Sequence, residues 1–295
     1  MTDTLAPAAA PPTKRLHPFA GRSWLVLGKH VLLIVFGLTM LYPLLWMVSS
    51  SLKPDELIFR DPSLLPTAID LTNYSDGWNG LRRPFSHYLI NSTIVVLGSV
   101  LGNLLSCSMA AYAFARLQFP GRKLFFGLML MSIMLPIHVI IVPQYVLFAG
   151  LGWINTFLPL IVPKLLATDA FFVFLLVQFF RGIPRELDEA ARIDGCGHIR
   201  FYWSVMLPLA VPALATTAIF TFIWTWNDFF SQLIFLTKPD AWTVPIALRS
   251  FVDATSESSY GSLFAMSIVS LTPVFLVFLF GQKYLVRGIA TTGIK

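Results

Sequence analysis

Six stretches of this 295-residue sequence are apolar over more residues than the core helix of a globular protein needs. A helix requires about 20 mostly apolar residues to cross the roughly 30 Å hydrocarbon core of a bilayer. The composition agrees, because 56% of the residues are hydrophobic and only 12% are charged. We therefore predict an all-α integral membrane protein with six transmembrane helices. The predicted spans cover approximately residues 31–48, 88–115, 124–149, 154–180, 209–236 and 263–285.

The distribution of basic residues predicts the orientation of these spans. An even number of spans places both termini on one side, and Lys and Arg accumulate in cytoplasmic segments. If the termini are cytoplasmic, 14 basic residues lie inside and 6 outside, with Lys164 left within a span. We therefore expect cytoplasmic termini. Residues 1–24, rich in Ala and Pro, are predicted to be a disordered cytoplasmic tail, and residues 25–295 a single transmembrane domain.

Several predicted spans carry polar or charged side chains. Such residues are costly within a bilayer and usually face other helices or a water-filled cavity. Gly98 and Gly102 form a GxxxG pattern, which favours close helix packing. The candidates for a translocation path, chosen by polarity and depth, are Asn91, Asn103, Gln144, Asp169, Asn227 and Asp228.

Two of these positions leave alternatives open. Lys164 and Asp169 are separated by about 140° on a regular helix, so each is expected to pair with another helix or to line the path rather than to pair directly. Asp228, beside Trp224 and Trp226, is either an anchor at the outer interface or part of the rim of an outward opening.

The sequence contains no motif typical of catalysis. It has no P-loop, HExxH, CxxC or GxSxG pattern, and its five histidines are dispersed. We expect no metal site and no enzymatic activity. The basic residues lie beside apolar spans rather than on one face, which argues against binding to nucleic acid. An ion-coupled transporter using Lys164 and Asp169 is an alternative, although no internal repeat is evident.

One segment between the fourth and fifth spans, residues 182–208, is rich in charge, and we refer to it as the charged loop. Pro184 is predicted to begin a short helix, with acidic residues in its first turns. Gly195 suits the left-handed residue that ends a helix, and a second short amphipathic stretch leads to Pro208. Such a helix pair either docks on a protein or rests on lipid head groups; its acids favour protein, because an anionic leaflet would repel them.

The charged loop also resembles the EAA loop of binding-protein-dependent ABC importer permeases, whose pattern is E-A-A, three residues, G, nine residues, I-x-L-P. "LQFPGRKLFF", "FIWTWNDF" and "GQKYLVRG" are similar to the carbohydrate-uptake branch, in particular to the maltose-type permeases that pair with a second, different permease. Val205 stands in place of the Ile. The residues that match the pattern are Glu189, Ala190, Ala191, Gly195, Leu207 and Pro208.

The resemblance implies a subunit of an ATP-driven sugar importer in a bacterial cell membrane. ATP and Mg²⁺ would bind to two copies of a cytoplasmic ATPase subunit, and this chain would hold no cofactor. The charged loop would sit in a groove of that ATPase, with Glu189 paired to a basic residue, Ala190 and Ala191 packed in the groove, and Gly195 making the turn. Asp194, Leu207 and Pro208 complete the predicted ATPase-coupling residues. Residues 237–262 would reach towards an extracytoplasmic binding protein. The alternative solutes are a glycerol phosphate ester, a peptide or an amino acid.

Overall fold

The computed structural model describes residues 20–252 and 259–290, with side chains described for 26–252 and 259–284. The described residues are helical throughout their regular structure and contain no strand, which confirms the all-α prediction. The helices are α1 (Ala20–Ser50), α2 (Asp55–Ile58), α3 (Thr72–Asn79), α4 (Phe85–Arg116), α5 (Arg122–Ser132), α6 (Ile137–Gly150), α7 (Leu158–Ile161), α8 (Ala170–Gly182), α9 (Glu186–Ile193), α10 (His198–Phe201), α11 (Leu207–Leu209), α12 (Val211–Asn227), α13 (Phe230–Phe235), α14 (Val244–Arg249) and α15 (Tyr260–Ala290).

Within the described chain, four segments are long and apolar enough to cross a membrane: Val26–Ser50, Phe85–Arg116, Leu158–Gly182 and Tyr260–Tyr284. Two further spans exist if each of two bent helix pairs counts as one, which gives up to six in agreement with the predicted number. The third predicted span bends by 102° between α5 and α6, and a bend of 77° separates Val211–Asn227 from the helix before it. The spans are thus less regular than the apolar runs suggest.

The chain divides into two compact units, Met1–Met47 and Val48–Lys295. Helix α1 extends through the described part of the first unit and begins at Ala20, inside the segment predicted as a tail. Residues 1–19 of that tail lie outside the described residues. The predicted path residues and the charged loop all belong to the second unit.

Helix α4 is the central element of the second unit. It packs against α8, α12, α7 and the 3-10 turn Val162–Leu166. A Cβ on Gly98 would come within 2.8 Å of Ile161, and a Cβ on Gly102 within 3.0 Å of Lys164. The GxxxG pair therefore permits a close helix approach, as predicted.

Among the described residues of the second unit, three groups of buried apolar side chains hold the fold together. The first, around Tyr112, Phe180 and Met206, joins α4, α8 and the charged loop. The second joins the start of α4 to α12, α14 and α15, and the third joins α4, α6, α7 and α13. All three include α4, so both ends of this helix are fixed in the apolar core.

The connection between α1 and α4 is ordered although it is long. Lys53 is fully buried, and its ammonium donates hydrogen bonds to the carbonyls of Asp61 (2.6 Å) and Ser63 (2.7 Å). The Asp55 carboxylate accepts a hydrogen bond from the backbone of Gly261 at the start of α15. These bonds form a structured cap at the end of the unit where α4 begins.

Candidate functional site

A half-open cavity of about 720 Å³ lies between α6, α12, α13 and the segment that joins α7 to α8. Its walls are mixed, with aliphatic residues such as Ile137 and Leu160 beside several polar side chains. Half of its lining residues are polar or charged, which is more than the few placed polar groups of a typical small-molecule site. The polar and charged lining residues are Gln144, Lys164, Thr168, Asp169, Thr225, Asn227, Asp228, Ser231 and Gln232.

Lys164 and Asp169 form an ion pair in the wall of this cavity. The Lys164 ammonium lies 2.9 Å and 2.8 Å from the two Asp169 carboxylate oxygens, and both side chains are about one quarter exposed. The expectation that they do not pair directly is therefore wrong. It assumed a regular helix, whereas the helix is interrupted by a 3-10 turn and by Ala167 in a left-handed conformation with φ of 54°. Asp169 then precedes α8, where it can reach back to Lys164.

A second layer of hydrogen bonds fixes this pair from behind. Asn103 of α4 is fully buried and donates to an Asp169 carboxylate oxygen at 2.6 Å. The same amide group lies 3.1 Å from the Thr221 hydroxyl of α12. Asn103 thus links the ion pair to both α4 and α12. The Asp169 carboxylate accepts hydrogen bonds from the Lys164 ammonium and from the Asn103 amide, and its charge strengthens both bonds.

The cavity brings together four of the six predicted path residues: Gln144, Asp169, Asn227 and Asp228. Asn103 lies behind the cavity wall and contacts Asp169. Asn91 does not line the cavity; its amide donates to the carbonyls of Asp240 and Trp242 at the end of the unit where α4 begins. The roles of all six in transport stay predictions.

Asp228 lies where α12 ends, and its carboxylate accepts a hydrogen bond of 3.1 Å from the backbone of Ser231. The helix therefore stops inside the predicted fifth span, and α13 follows as a separate element. Trp224, one turn earlier, is 49% exposed, lines the cavity and contacts the rings of Phe171 and Phe172 at 5.2 Å. Trp226 is buried and stacks on Phe222, so it is not an interfacial anchor.

The charged loop lies beyond this cavity, towards the last residue of α4, and contains the predicted short helix, α9. This helix begins at Glu186, two residues later than Pro184 was expected to start it. Gly195 has φ of 72°, which confirms its left-handed conformation. The Cys196 amide donates to the Ala191 carbonyl and the Gly195 amide to the Arg192 carbonyl, which is the Schellman arrangement that ends a helix at a glycine.

The two faces of α9 differ. Glu189 and Ala190 are exposed, whereas Ala191 is half-buried and packs against the core group around Tyr112. Of the two alanines predicted to enter a groove of the ATPase, only Ala190 is therefore on the open surface of this chain. Ile193 is 87% exposed and Ile199 of α10 is 79% exposed. These isoleucines were not among the predicted coupling residues.

The remaining predicted coupling residues lie around this surface. Asp194 follows α9 and is exposed, Leu207 is half-buried, and Pro208 is exposed in the short helix α11. Between Tyr202 and Met206 the chain forms a π turn rather than a regular helix. A groove of about 620 Å³ separates α9 from the connection after α4 and is lined by Arg116, Phe119, Arg185, Asp188, Arg192 and His198, among others.

Arg116 is a functional candidate that the sequence did not single out. Its side chain is only 5% exposed, and it binds the Asp188 carboxylate at 2.8 Å and the Ile183 carbonyl at 2.7 Å. The last residue of α4 is thereby joined to both the start of the charged loop and to α9. The only signal in the sequence is an arginine at the end of a span, which is common at membrane interfaces.

At the opposite end of α4 the Arg83 guanidinium binds the exposed Asp240 carboxylate at 2.9 Å. This hydrogen bond, more than any other contact, holds the pKa of Asp240 below its ordinary value of 3.8. His87 and Asn91 contact the Asp240 carbonyl. The connection after α13 is therefore attached to the start of α4.

Comparisons with known proteins bear on both the cavity and the charged loop. The family model described as "Binding-protein-dependent transport system inner membrane component" matches residues 102–291. The diacetylchitobiose uptake system permease protein NgcG of Streptomyces coelicolor is 34% identical over 89% of this chain and 86% of its own length. The trehalose/maltose transport system permease protein MalG of Thermococcus litoralis is 33% identical over 90% of this chain and 97% of its own length.

A solved structure shares the fold. It belongs to a bacterial ABC transporter involved in the import of the acidic polysaccharide alginate, and it superposes with a TM-score of 0.79 at 24% sequence identity. The match covers 91% of this chain and 100% of the other. At 24% sequence identity, this likeness shows that the two chains share the arrangement of their helices.

Proposed function

Because the chain belongs to the family of binding-protein-dependent transport system inner membrane components, we propose that it forms half of the translocation path for a sugar or oligosaccharide in an ATP-driven importer. One observation supports this most directly. A polar cavity and an exposed EAA-type loop lie at different levels of one helix, α4, and are both attached to it.

The cavity suits an uncharged, hydroxyl-rich solute. Lys164 and Asp169 neutralise each other, and the Asp228 carboxylate disfavours an anionic solute, while Asn227, Thr168 and Gln144 offer neutral donors and acceptors. The exposed Trp224 ring supplies an apolar surface of the kind that can pack against the C–H face of a sugar. The printed names of relatives, which include diacetylchitobiose and trehalose/maltose systems, support the same class of solute.

The proposed assembly contains other subunits. Two ATPase subunits would bind ATP and Mg²⁺, and one of them would seat the exposed face of α9, with Glu189 near a basic residue of its groove. A second, different permease would close the open side of the cavity. An extracytoplasmic binding protein would deliver the sugar to the end where Arg83 and Asp240 lie. This chain itself would perform no covalent chemistry.

The proposal is tested by reconstituting the chain in liposomes with the second permease, the ATPase and the binding protein that co-purify with it. Uptake of radiolabelled diacetylchitobiose, trehalose, maltose and glycerol 3-phosphate is then compared with and without ATP. Uptake of at least one sugar that needs both ATP and the binding protein is the expected result. ATP-dependent uptake of glycerol 3-phosphate alone would refute the sugar assignment, and uptake that follows an ion gradient without ATP would refute the importer.

A further inference from the structure

One face of α4 carries a row of polar side chains that bind the charged loop. Ser108, Tyr112 and Arg116 are spaced four residues apart, so they lie along the same side of the helix. Each makes a hydrogen bond to a different part of the loop. The sequence shows only three polar residues near the end of an apolar span.

The contacts of this row extend along the loop from Ile183 to Tyr202. Arg116 binds Asp188 of α9 and the Ile183 carbonyl where α8 ends. The Tyr112 hydroxyl donates to the His198 carbonyl of α10 at 3.3 Å. The buried Ser108 hydroxyl shares a hydrogen bond of 2.7 Å with the Tyr202 hydroxyl, inside the π turn. The loop is thus attached at three successive levels of one rigid helix.

The same helix continues to the cavity. The Ser106 hydroxyl donates to the Lys164 carbonyl at 2.6 Å, and Asn103 donates to the Asp169 carboxylate at 2.6 Å. Gly102 lets the backbone of α4 approach Lys164 closely. A displacement of α4 therefore changes the setting of the ion pair that lines the cavity.

The covalent routes from the loop to the cavity are less direct. Through α12 the chain first passes the π turn and a bend of 77°. The route through α8 starts at Ile183, directly after that helix. The Ile183 carbonyl is itself bound by Arg116, so this route also depends on α4. Transmission between two sites requires an element whose position both sites influence, and α4 is directly bonded to both.

From these contacts we infer that Ser108, Tyr112 and Arg116 transmit movement of the charged loop through α4 to the cavity, with Arg116 as the principal positioning residue. The inference rests on the proposed function, because an ATPase must move the loop. Arg116 takes no part in binding the solute. Its two bonds diverge to a carboxylate and a carbonyl, a geometry that lysine cannot reproduce in full.

The test measures how the cavity responds to nucleotide. A chain with Cys107→Ala, Cys196→Ala and Ile137→Cys has a single thiol, which lies in the cavity wall at a position that is 43% exposed. It is assembled in liposomes with the second permease, the ATPase and the binding protein that co-purify with the chain. The rate at which this introduced thiol reacts with a membrane-impermeant methanethiosulfonate reagent is measured with and without ATP and Mg²⁺, and ATP hydrolysis is measured in the same samples.

With the row intact, ATP and Mg²⁺ should change the labelling rate about five-fold or more, the size of a typical coupling between sites. Arg116→Gln should reduce this change to less than about two-fold while ATP hydrolysis continues. Arg116→Lys and Tyr202→Phe should give intermediate changes. Arg122→Gln is the matched control, because Arg122 lies near the same end of α4 but donates to the Leu117 carbonyl of its own connection; it should leave the response intact.

The inference is overturned if ATP and Mg²⁺ change the labelling rate of Arg116→Gln as much as that of the parent chain. It is also overturned if Arg122→Gln loses this nucleotide response to the same extent as Arg116→Gln. If Arg116→Gln does not assemble, a full response in both Arg116→Lys and Tyr202→Phe has the same meaning. Failure of the proposed function is recognised separately: the parent chain with an intact row would then bind no ATPase or show no response to nucleotide.

Discussion

The ion pair in the cavity wall shows how single residues determine the local properties of this chain. A charge within a membrane protein is costly unless it is paired and hydrogen-bonded. Lys164 and Asp169 meet this requirement with two oxygen contacts below 3 Å and an additional donor from Asn103. The pair is also partly exposed to the cavity, so solvent screens the attraction between the charges. Its contribution to the stability of the fold is therefore smaller than that of a fully buried pair.

Asp169→Asn should therefore destabilise the chain by leaving the Lys164 charge without a partner. Removal of one member of a fully buried pair costs about 3–5 kcal/mol, and we expect about 1–2 kcal/mol here because of the exposure. The melting temperature of the purified chain in detergent should fall. The double variant Lys164→Gln with Asp169→Asn should recover most of the loss, because no unpaired charge remains. Equal losses in the single and double variants would contradict this account.

Glu189 is the exposed acid of α9 that matches the family pattern. If it meets a basic residue of the ATPase, Glu189→Lys creates repulsion at that contact and should lower sugar uptake at least about ten-fold, equivalent to about 1.4 kcal/mol. Glu186→Lys on the same helix is the control, since Glu186 is also exposed but lies outside the pattern. Membrane insertion should be unchanged in both. Normal uptake by Glu189→Lys would disprove the coupling role.

At the scale of elements, the sequence predicts the apolar segments well but their interruptions poorly. The run 154–180 is mostly apolar, with Lys164 and Asp169 as its charged residues, yet it contains a 3-10 turn and Ala167 in a left-handed conformation that alanine rarely adopts. Pro159 and Pro163 indicate an irregularity without giving its position. The direct Lys164–Asp169 contact depends on that break, so spacing along a regular helix predicted the wrong geometry.

The charged loop was predicted more accurately because its signals are local. A glycine in the left-handed conformation ends α9 where the sequence placed it, and the exposed Glu189 and Ala190 lie in the predicted short helix. The direction of each side chain depends on packing with α4, which is remote in sequence. For this reason neither the inward position of Ala191 nor the contact of Arg116 with Asp188 could be derived beforehand.

Two isoleucines of the charged loop, Ile193 and Ile199, are largely exposed, and Ile193 lies one turn after Glu189 on the same side of α9. Complete burial of an isoleucine contributes about 1.5–3 kcal/mol, so Ile193→Ser should weaken ATPase binding roughly ten-fold or more, and Ile199→Ser should act in the same direction. Co-purification of the ATPase with the tagged permease measures the effect. Leu65→Ser is the matched control, because Leu65 is 83% exposed in the connection between α1 and α4. Undiminished ATPase binding by Ile193→Ser would exclude this surface as the docking site.

At the scale of the whole chain, α4 separates two polar ends. Its 32 residues extend about 48 Å, which exceeds the hydrocarbon thickness of a bilayer. Arg83, Asp240 and α3 lie towards its first residue, and Arg116 with the charged loop lies at its last. We therefore expect these two ends to face opposite sides of the membrane. The excess of basic residues predicts that the end with the charged loop is cytoplasmic.

This orientation can be tested by thiol labelling of a cysteine-free chain in intact cells. Lys238→Cys and Asn79→Cys, both exposed at the end where α4 begins, should react with a membrane-impermeant maleimide. Gln118→Cys, exposed just after α4, should react only after the cells are permeabilised. An abundant cytoplasmic protein that stays unlabelled shows that the cells are intact. Labelling of Gln118→Cys alone in such cells would place both termini outside, and it would remove the charged loop from the reach of any cytoplasmic ATPase.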